Sequence, residues 1–87
     1  MSGLPKLYVK SWCPWCVSAK HYLNKHRYRY EELDVNRDPA AYEEMIRISG
    51  QSYTPTLVLA NGEVLADFET EELEVFLTRH GVQASAE

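Results

Sequence analysis

The chain has 87 residues, 45% of them hydrophobic and 25% charged, a globular balance that is neither charge-rich nor apolar-poor enough for disorder. A length of this order holds one core and leaves no room for a second domain. The formal net charge of −4 argues against a nucleic-acid partner, because phosphate binding needs an excess of Lys and Arg.

The first six residues, Met1 to Lys6, contain no apolar signal core, and no later stretch approaches the roughly 18 apolar residues of a membrane span. A cytoplasmic chain with no membrane partner is expected. Lys6-Leu7-Tyr8-Val9-Lys10 is a short run of strand formers that ends at Ser11-Trp12-Cys13-Pro14, where the proline suits the first position of a helix. That helix is expected from about Pro14 to His26, with Cys16, Ala19 and Leu23 inward, Val17 and Tyr22 flanking, and His21 and His26 on its exterior. Lys20, Lys25, Arg27 and Arg29 are followed directly by Glu31, Glu32 and Asp34, and read as a solvated face.

Tyr28 to Val35 reads as a second strand that Asn36-Arg37-Asp38-Pro39 stops. Asp38 should cap a second helix with Pro39 at its first position, Tyr42, Met45, Ile46 and Ser49 along its apolar stripe, and Gly50 as its left-handed terminator. Thr56 to Ala60 is a buried strand, Asn61-Gly62 signals a type I′ hairpin, and Glu63-Val64-Leu65 is the returning strand. A last helix from about Glu69 to Arg79 places Leu73, Phe76, Leu77 and His80 on one stripe, with Glu71, Glu72 and Glu74 near its dipole-favoured end. The order β-α-β-α-β-β-α implies an α/β fold: a four-stranded mixed sheet flanked by helices, with a parallel pair and an antiparallel edge hairpin. That is a thioredoxin-like arrangement, expected to occupy residues 1–81 with a tail from Val82 to Glu87.

Two cysteines three positions apart cannot staple distant parts of a fold, so they serve chemistry or a metal. Across a helix entrance, residues three apart share a side and their sulfurs can close a disulfide with little backbone movement. Cys13 at the helix N-terminus should hold a stabilised thiolate and act as nucleophile, and Cys16, one turn in, should resolve the mixed disulfide. The competing reading is half of a zinc site completed by His21, His26 or His80. The βαβ context and the proline between the cysteines favour redox use, so no metal is expected.

Lys10-Ser11-Trp12-Cys13-Pro14-Trp15-Cys16, followed by Ala19-Lys20, resembles the Lys-x-x-Cys-Pro-Tyr-Cys segment of the glutaredoxins. Leu33-Asp34-Val35, Ser49-Gly50 and Thr54-Pro55 continue the likeness, which spans about residues 6 to 80. The resemblance implies a monomeric thiol–disulfide oxidoreductase without a tightly bound cofactor, acting on disulfide-bearing proteins or glutathione mixed disulfides. Glutathione is the implied reductant; a flavoprotein reductase is the alternative within the same chemistry, and a zinc or iron–sulfur binding module is the alternative outside it. Residue by residue, Lys10 would attract a glutathione carboxylate or stabilise the thiolate. A cis Thr54-Pro55 bond would present the Thr54 backbone to an extended substrate, and Trp15 would offer a flat exposed surface. Gln51 replaces a usual basic residue and Tyr53 a usual threonine. Leu65-Ala66-Asp67-Phe68-Glu69 stands where the family has Gly-Gly, a small residue and Asp for the γ-glutamyl end of glutathione. The bulk of Leu65 and Phe68, with repulsion of a carboxylate by Asp67 and Glu69, predicts weak glutathione binding, and Asp67 or Glu69 is left either to hold an amino group or to cap the last helix.

Overall fold

A computed structural model describes residues 4–82. Its elements run β1 (Lys6–Val9), α1 (Pro14–Lys25), β2 (Glu31–Asp34), α2 (Pro39–Ser49), β3 (Thr56–Val58), β4 (Val64–Ala66) and α3 (Thr70–Arg79). The sheet order is β2-β1-β3-β4, with β1 and β2 parallel and the other two pairings antiparallel. The chain therefore has the thioredoxin-like α/β fold that its element order implies.

Period-two alternation along the two central strands divides the core. Leu7, Val9, Leu57 and Leu59 face one side, where they pack with Cys16, Ala19 and Leu23 of α1 and with Leu73, Phe76 and Leu77 of α3. Tyr8 and Val58 face the other side and meet Ala41 and Met45 of α2. One side of the sheet thus carries two helices, and the cysteine-bearing helix is one of them. Among the described residues no helix is long and apolar enough to cross a membrane.

Helix ends follow their local chemistry. Asp38 accepts from the Ala40 and Ala41 N–H groups at the start of α2, and Gly50 closes that helix at φ 74°. The apolar stripe of α2 is centred on Ala41 and Met45 with Ile48 beside them, while Tyr42 and Ile46 lie one position further round and are exposed. α1 ends in a Schellman arrangement: the Tyr28 N–H reaches the Leu23 carbonyl and the Arg27 N–H reaches that of Asn24. Arg27, at φ 63°, takes the place usually given to glycine.

That cap shortens β2. Tyr28 to Tyr30 complete the helix exit, and the parallel ladder begins only at Glu31, whose N–H bonds the Pro5 carbonyl; Pro5 has no N–H to extend it. The hairpin also differs from a two-residue turn. Gly62 has φ 92° but Asn61 is not left-handed, the Gly62 N–H bonds the Leu59 carbonyl and the Leu59 N–H bonds that of Glu63. Ala60-Asn61-Gly62 is therefore a three-residue loop of the turn-plus-bulge kind. Val82, placed by the sequence in the tail, donates its N–H to the Leu77 carbonyl and packs on the core; the rest of the expected tail lies outside the described residues.

Candidate active site

β1 delivers the chain at Val9 to the loop Lys10-Ser11-Trp12, which Ser11 secures by donating its hydroxyl to the Asp34 carboxylate at 3.2 Å. The other Asp34 oxygen accepts the Asn36 N–H at 2.9 Å, so one carboxylate ties the exit of β2 to the approach of α1. Cys13 then caps α1 in an extended conformation, with Pro14 following it. The sequence reads Asp34 as part of a solvated charged face and Ser11 only as part of the cysteine segment; their spatial meeting gives both a structural role.

Cys13 and Cys16 are joined as a disulfide with their Cα atoms 5.0 Å apart. The Cys13 Sγ accepts the Cys16 N–H at 3.0 Å, one of the helix-start donors that have no partner inside the helix. In the reduced protein that N–H and the positive end of the helix dipole would stabilise a thiolate on Cys13. Cys16 is 1% exposed and belongs to the core, whereas Cys13 is only partly buried. The two sulfurs are therefore unequal in access.

The opposite wall is the loop that follows α2. The Thr54-Pro55 peptide is cis, and the Thr54 carbonyl oxygen lies 3.6 Å from the Cys13 Sγ. Lys10 donates its ammonium to the Ser52 carbonyl at 3.3 Å, leaving its remaining hydrogens for an anion. Trp12, Trp15 and Tyr53 are 90%, 54% and 62% exposed, three aromatic side chains on segments that frame the disulfide.

Asp67 joins the rim from β4: its N–H bonds the Pro55 carbonyl at 2.9 Å and its φ is 55°, a left-handed conformation that Asp tolerates better than most residues. Helix capping falls instead to Glu69, whose N–H donates to the Glu72 carboxylate at 2.9 Å. Phe68 is 2% exposed within the core and Leu65 lies in β4 opposite Leu57. The Phe68 ring is thus buried in the same core cluster as Cys16 and offers no exposed bulk to a ligand.

Lys10 after β1, Cys13, Trp15 and Cys16 at the start of α1, Thr54 and Pro55 before β3, and Asp67 after β4 thus come to one region. His26 and His80 make their contacts elsewhere. His26 packs on Tyr22 with ring centroids 4.4 Å apart, and His80 faces Glu63 at 4.0 Å. Among the described residues no group of three or more His, Cys, Asp or Glu side chains could hold a metal ion.

The glutaredoxin family model matches residues 6–65. A glutaredoxin-named protein of Mycobacterium tuberculosis is 31% identical over 74 residues, spanning 84% of this chain and 88% of the relative. Glutaredoxin 3 of Escherichia coli is 33% identical over 54 residues, 62% of this chain and 65% of the relative. Among solved structures, the thioredoxin-like protein BC3987 superposes with a TM-score of 0.77 at 37% identity, covering 84% of this chain and 99% of that one.

Proposed function

The chain belongs to the glutaredoxin family of thiol–disulfide oxidoreductases, and from that premise we propose that Cys13 is the attacking thiol and Cys16 the resolving one. The Cys13 thiolate attacks one sulfur of a protein disulfide or glutathione mixed disulfide; that S–S bond breaks and the other sulfur leaves as a thiolate. Cys16 then gives up its proton and attacks the Cys13 sulfur, releasing the reduced substrate and closing the Cys13–Cys16 disulfide. Two electrons from a thiol reductant reopen it. The unequal placement of the sulfurs carries this reading: Cys13 is partly exposed at the helix N-terminus, with the Cys16 N–H on its Sγ, and Cys16 is buried.

Lys10, Trp15, Thr54, Pro55 and Asp67 form the substrate rim in this proposal. An extended partner would pair with the Thr54 backbone beside the reacting sulfur. A Cys16→Ser variant incubated with oxidised glutathione tests the assignment. Mass spectrometry should find one glutathione on Cys13, and far less on Cys16 in the reciprocal Cys13→Ser variant; the reverse pattern rejects the proposed order of attack.

Reduction by a flavoprotein reductase is the second reading. It is favoured by the exposed Asp67 carboxylate on the rim and by Gln51, whose amide is bonded inward instead of offering a cation. Turnover with glutathione and its reductase, set against turnover with a thioredoxin-type reductase, separates the two.

A further inference from the structure

The segment from Gly50 to Thr54 belongs to no helix or strand, so side chains have to shape it. Gln51 does most of that. Its Oε1 accepts the Tyr53 N–H at 2.6 Å, and its Nε2 donates to the Ser49 hydroxyl at 2.7 Å and to the Thr56 hydroxyl at 3.1 Å. The Thr56 hydroxyl hands its own proton to the Tyr53 carbonyl at 2.7 Å, and Thr56 is fully buried. Both backbone groups of Tyr53 are therefore tied inward through one amide and one hydroxyl, while the Tyr53 side chain stands 62% exposed. The next residue is Thr54, whose carbonyl lies against Cys13.

The inward bonds use both N–H donors of the glutamine amide and one lone pair of its oxygen. Gln51 thus has no donor left for a substrate carboxylate and carries no charge to attract one. What it delivers to the surface is an aromatic ring, one residue from the Thr54 carbonyl that lies against Cys13, while Trp12 and Trp15, on either side of Cys13 in the sequence, are exposed as well. Rings with few rotatable bonds give contact area at low entropic cost, and they suit polypeptide better than a small charged thiol.

We propose that Gln51 is a positioning residue for substrate choice: it holds Tyr53 outward beside the disulfide, so that the site prefers polypeptide disulfides flanked by apolar side chains over small anionic ones. The inference rests on the reading of Cys13 as the attacking thiol. Gln51 touches neither substrate nor sulfur and acts through the loop.

The test measures reduction of insulin disulfides, with dithiothreitol as electron donor, by the full chain and by Gln51→Met, Tyr53→Ala and the double variant. Gln51→Met keeps the volume and removes the hydrogen bonds; Tyr53 is exposed, so its replacement leaves the core untouched. KM for insulin should rise about five- to tenfold in each single variant, the worth of one or two net hydrogen bonds or a ring contact, with kcat retained. The double variant should rise little further, because both changes remove the same contact. The rate of Cys13 alkylation against pH should stay as in the unaltered chain. An unchanged KM in either single variant, a fall confined to kcat, or multiplied effects in the double variant would overturn the proposal.

Should Gln51→Met fail to fold, Tyr53→Ala and amide exchange in the unaltered protein still decide it. The Tyr53 N–H is expected to exchange slowly, and exchange at the rate of a free loop amide would reject the tie. If the unaltered chain neither reduces insulin nor forms the Cys13 adduct in Cys16→Ser, the dithiol reading falls and takes this inference with it. An adduct without any insulin reduction overturns the polypeptide preference alone.

Discussion

The Thr54 carbonyl oxygen and the Cys13 Sγ lie 3.6 Å apart although 41 positions separate them in sequence. Two folding events bring them together. Pro14 starts a helix directly behind Cys13, and the antiparallel pairing of β3 with β1, Thr56 opposite Tyr8, carries the preceding loop to the same end of the sheet. Because β1 is buried on both sides, its register with β3 is specified by which residues enter which half of the core. A one-residue slip would exchange Leu57 and Val58 between the two halves and move Thr54 off the sulfur.

In the reduced protein iodoacetamide should label Cys13 and spare Cys16. The helix-start N–H on the Cys13 sulfur favours its thiolate, and Cys16 is 1% exposed. The selectivity should be about tenfold or more near neutral pH, with the Cys13 rate levelling off below the ordinary thiol range of about 8.5. Peptide mapping of alkylation rates against pH checks this. Faster labelling of Cys16 would reverse the assignment.

Asp38→Ala should destabilise the fold by about 1 kcal/mol, the usual worth of a helix N-cap. The Asp38 carboxylate accepts two N–H groups, from Ala40 and Ala41, and α2 that follows carries Met45 into the core. Asp38 contributes no atom to the site, so turnover should survive. Urea unfolding followed by circular dichroism gives the loss directly.

Much of this architecture is legible in the sequence because it is set by short-range chemistry: Pro14 and Pro39 at helix starts, Asp38 as a cap, Gly50 as a terminator, and apolar runs at Leu7 and Leu57. The cysteine pair is legible for the same reason, since spacing and helix position carry its chemistry. What escapes is made in space. Gln51 reads as a missing cation until Thr56 and Ser49 meet it, and Phe68 reads as surface bulk until the left-handed turn at Asp67 points it into the core. The length of β2 depends on Pro5, its partner's neighbour, and the hairpin loop gains a residue because Asn61 stays out of the left-handed region.

Stability should fall as the pH rises above about 10, the ordinary tyrosine range. Tyr8 is buried, and its hydroxyl donates to the Glu44 carboxylate. Burial first, and then that hydrogen bond and the Glu44 charge, push its ionisation upward. The folded chain then holds a proton that the unfolded chain releases, so the contribution is complete below the unfolded value and is lost as pH climbs toward the folded one. Tyr22 and Tyr30 are raised in the same direction, chiefly by burial. Urea midpoints at stepped alkaline pH should fall, and Tyr8→Phe should make the decline shallower. A midpoint that stays flat through that range would contradict the buried, proton-donating role of Tyr8.

Replacing Asp67 with glycine should strengthen glutathione binding with little change in stability. The steric half of the argument against glutathione weakens once Phe68 is found in the core, and the electrostatic half concentrates on Asp67. Its backbone is held beside Pro55 by the bond from its N–H to the Pro55 carbonyl, and its side chain is exposed, so its charge is expected to repel an incoming carboxylate. A unit charge at contact distance is worth about 1 kcal/mol in water, which corresponds to about a fivefold lower Kd on removal. Glycine adopts the φ of 55° seen at this position without a side-chain penalty, although it also gains freedom in the unfolded chain; the two effects oppose each other. By contrast, Gly-Gly in place of Leu65-Ala66 would remove a side chain from β4 that packs on the core, and should cost stability before it improves any affinity. Calorimetric titration of both variants with glutathione, beside their melting temperatures, distinguishes charge from bulk. Tighter binding in Asp67→Gly, with the melting temperature held, identifies the carboxylate as the obstacle. Equal affinity in Asp67→Gly and the unaltered chain would show that Asp67 does not oppose glutathione.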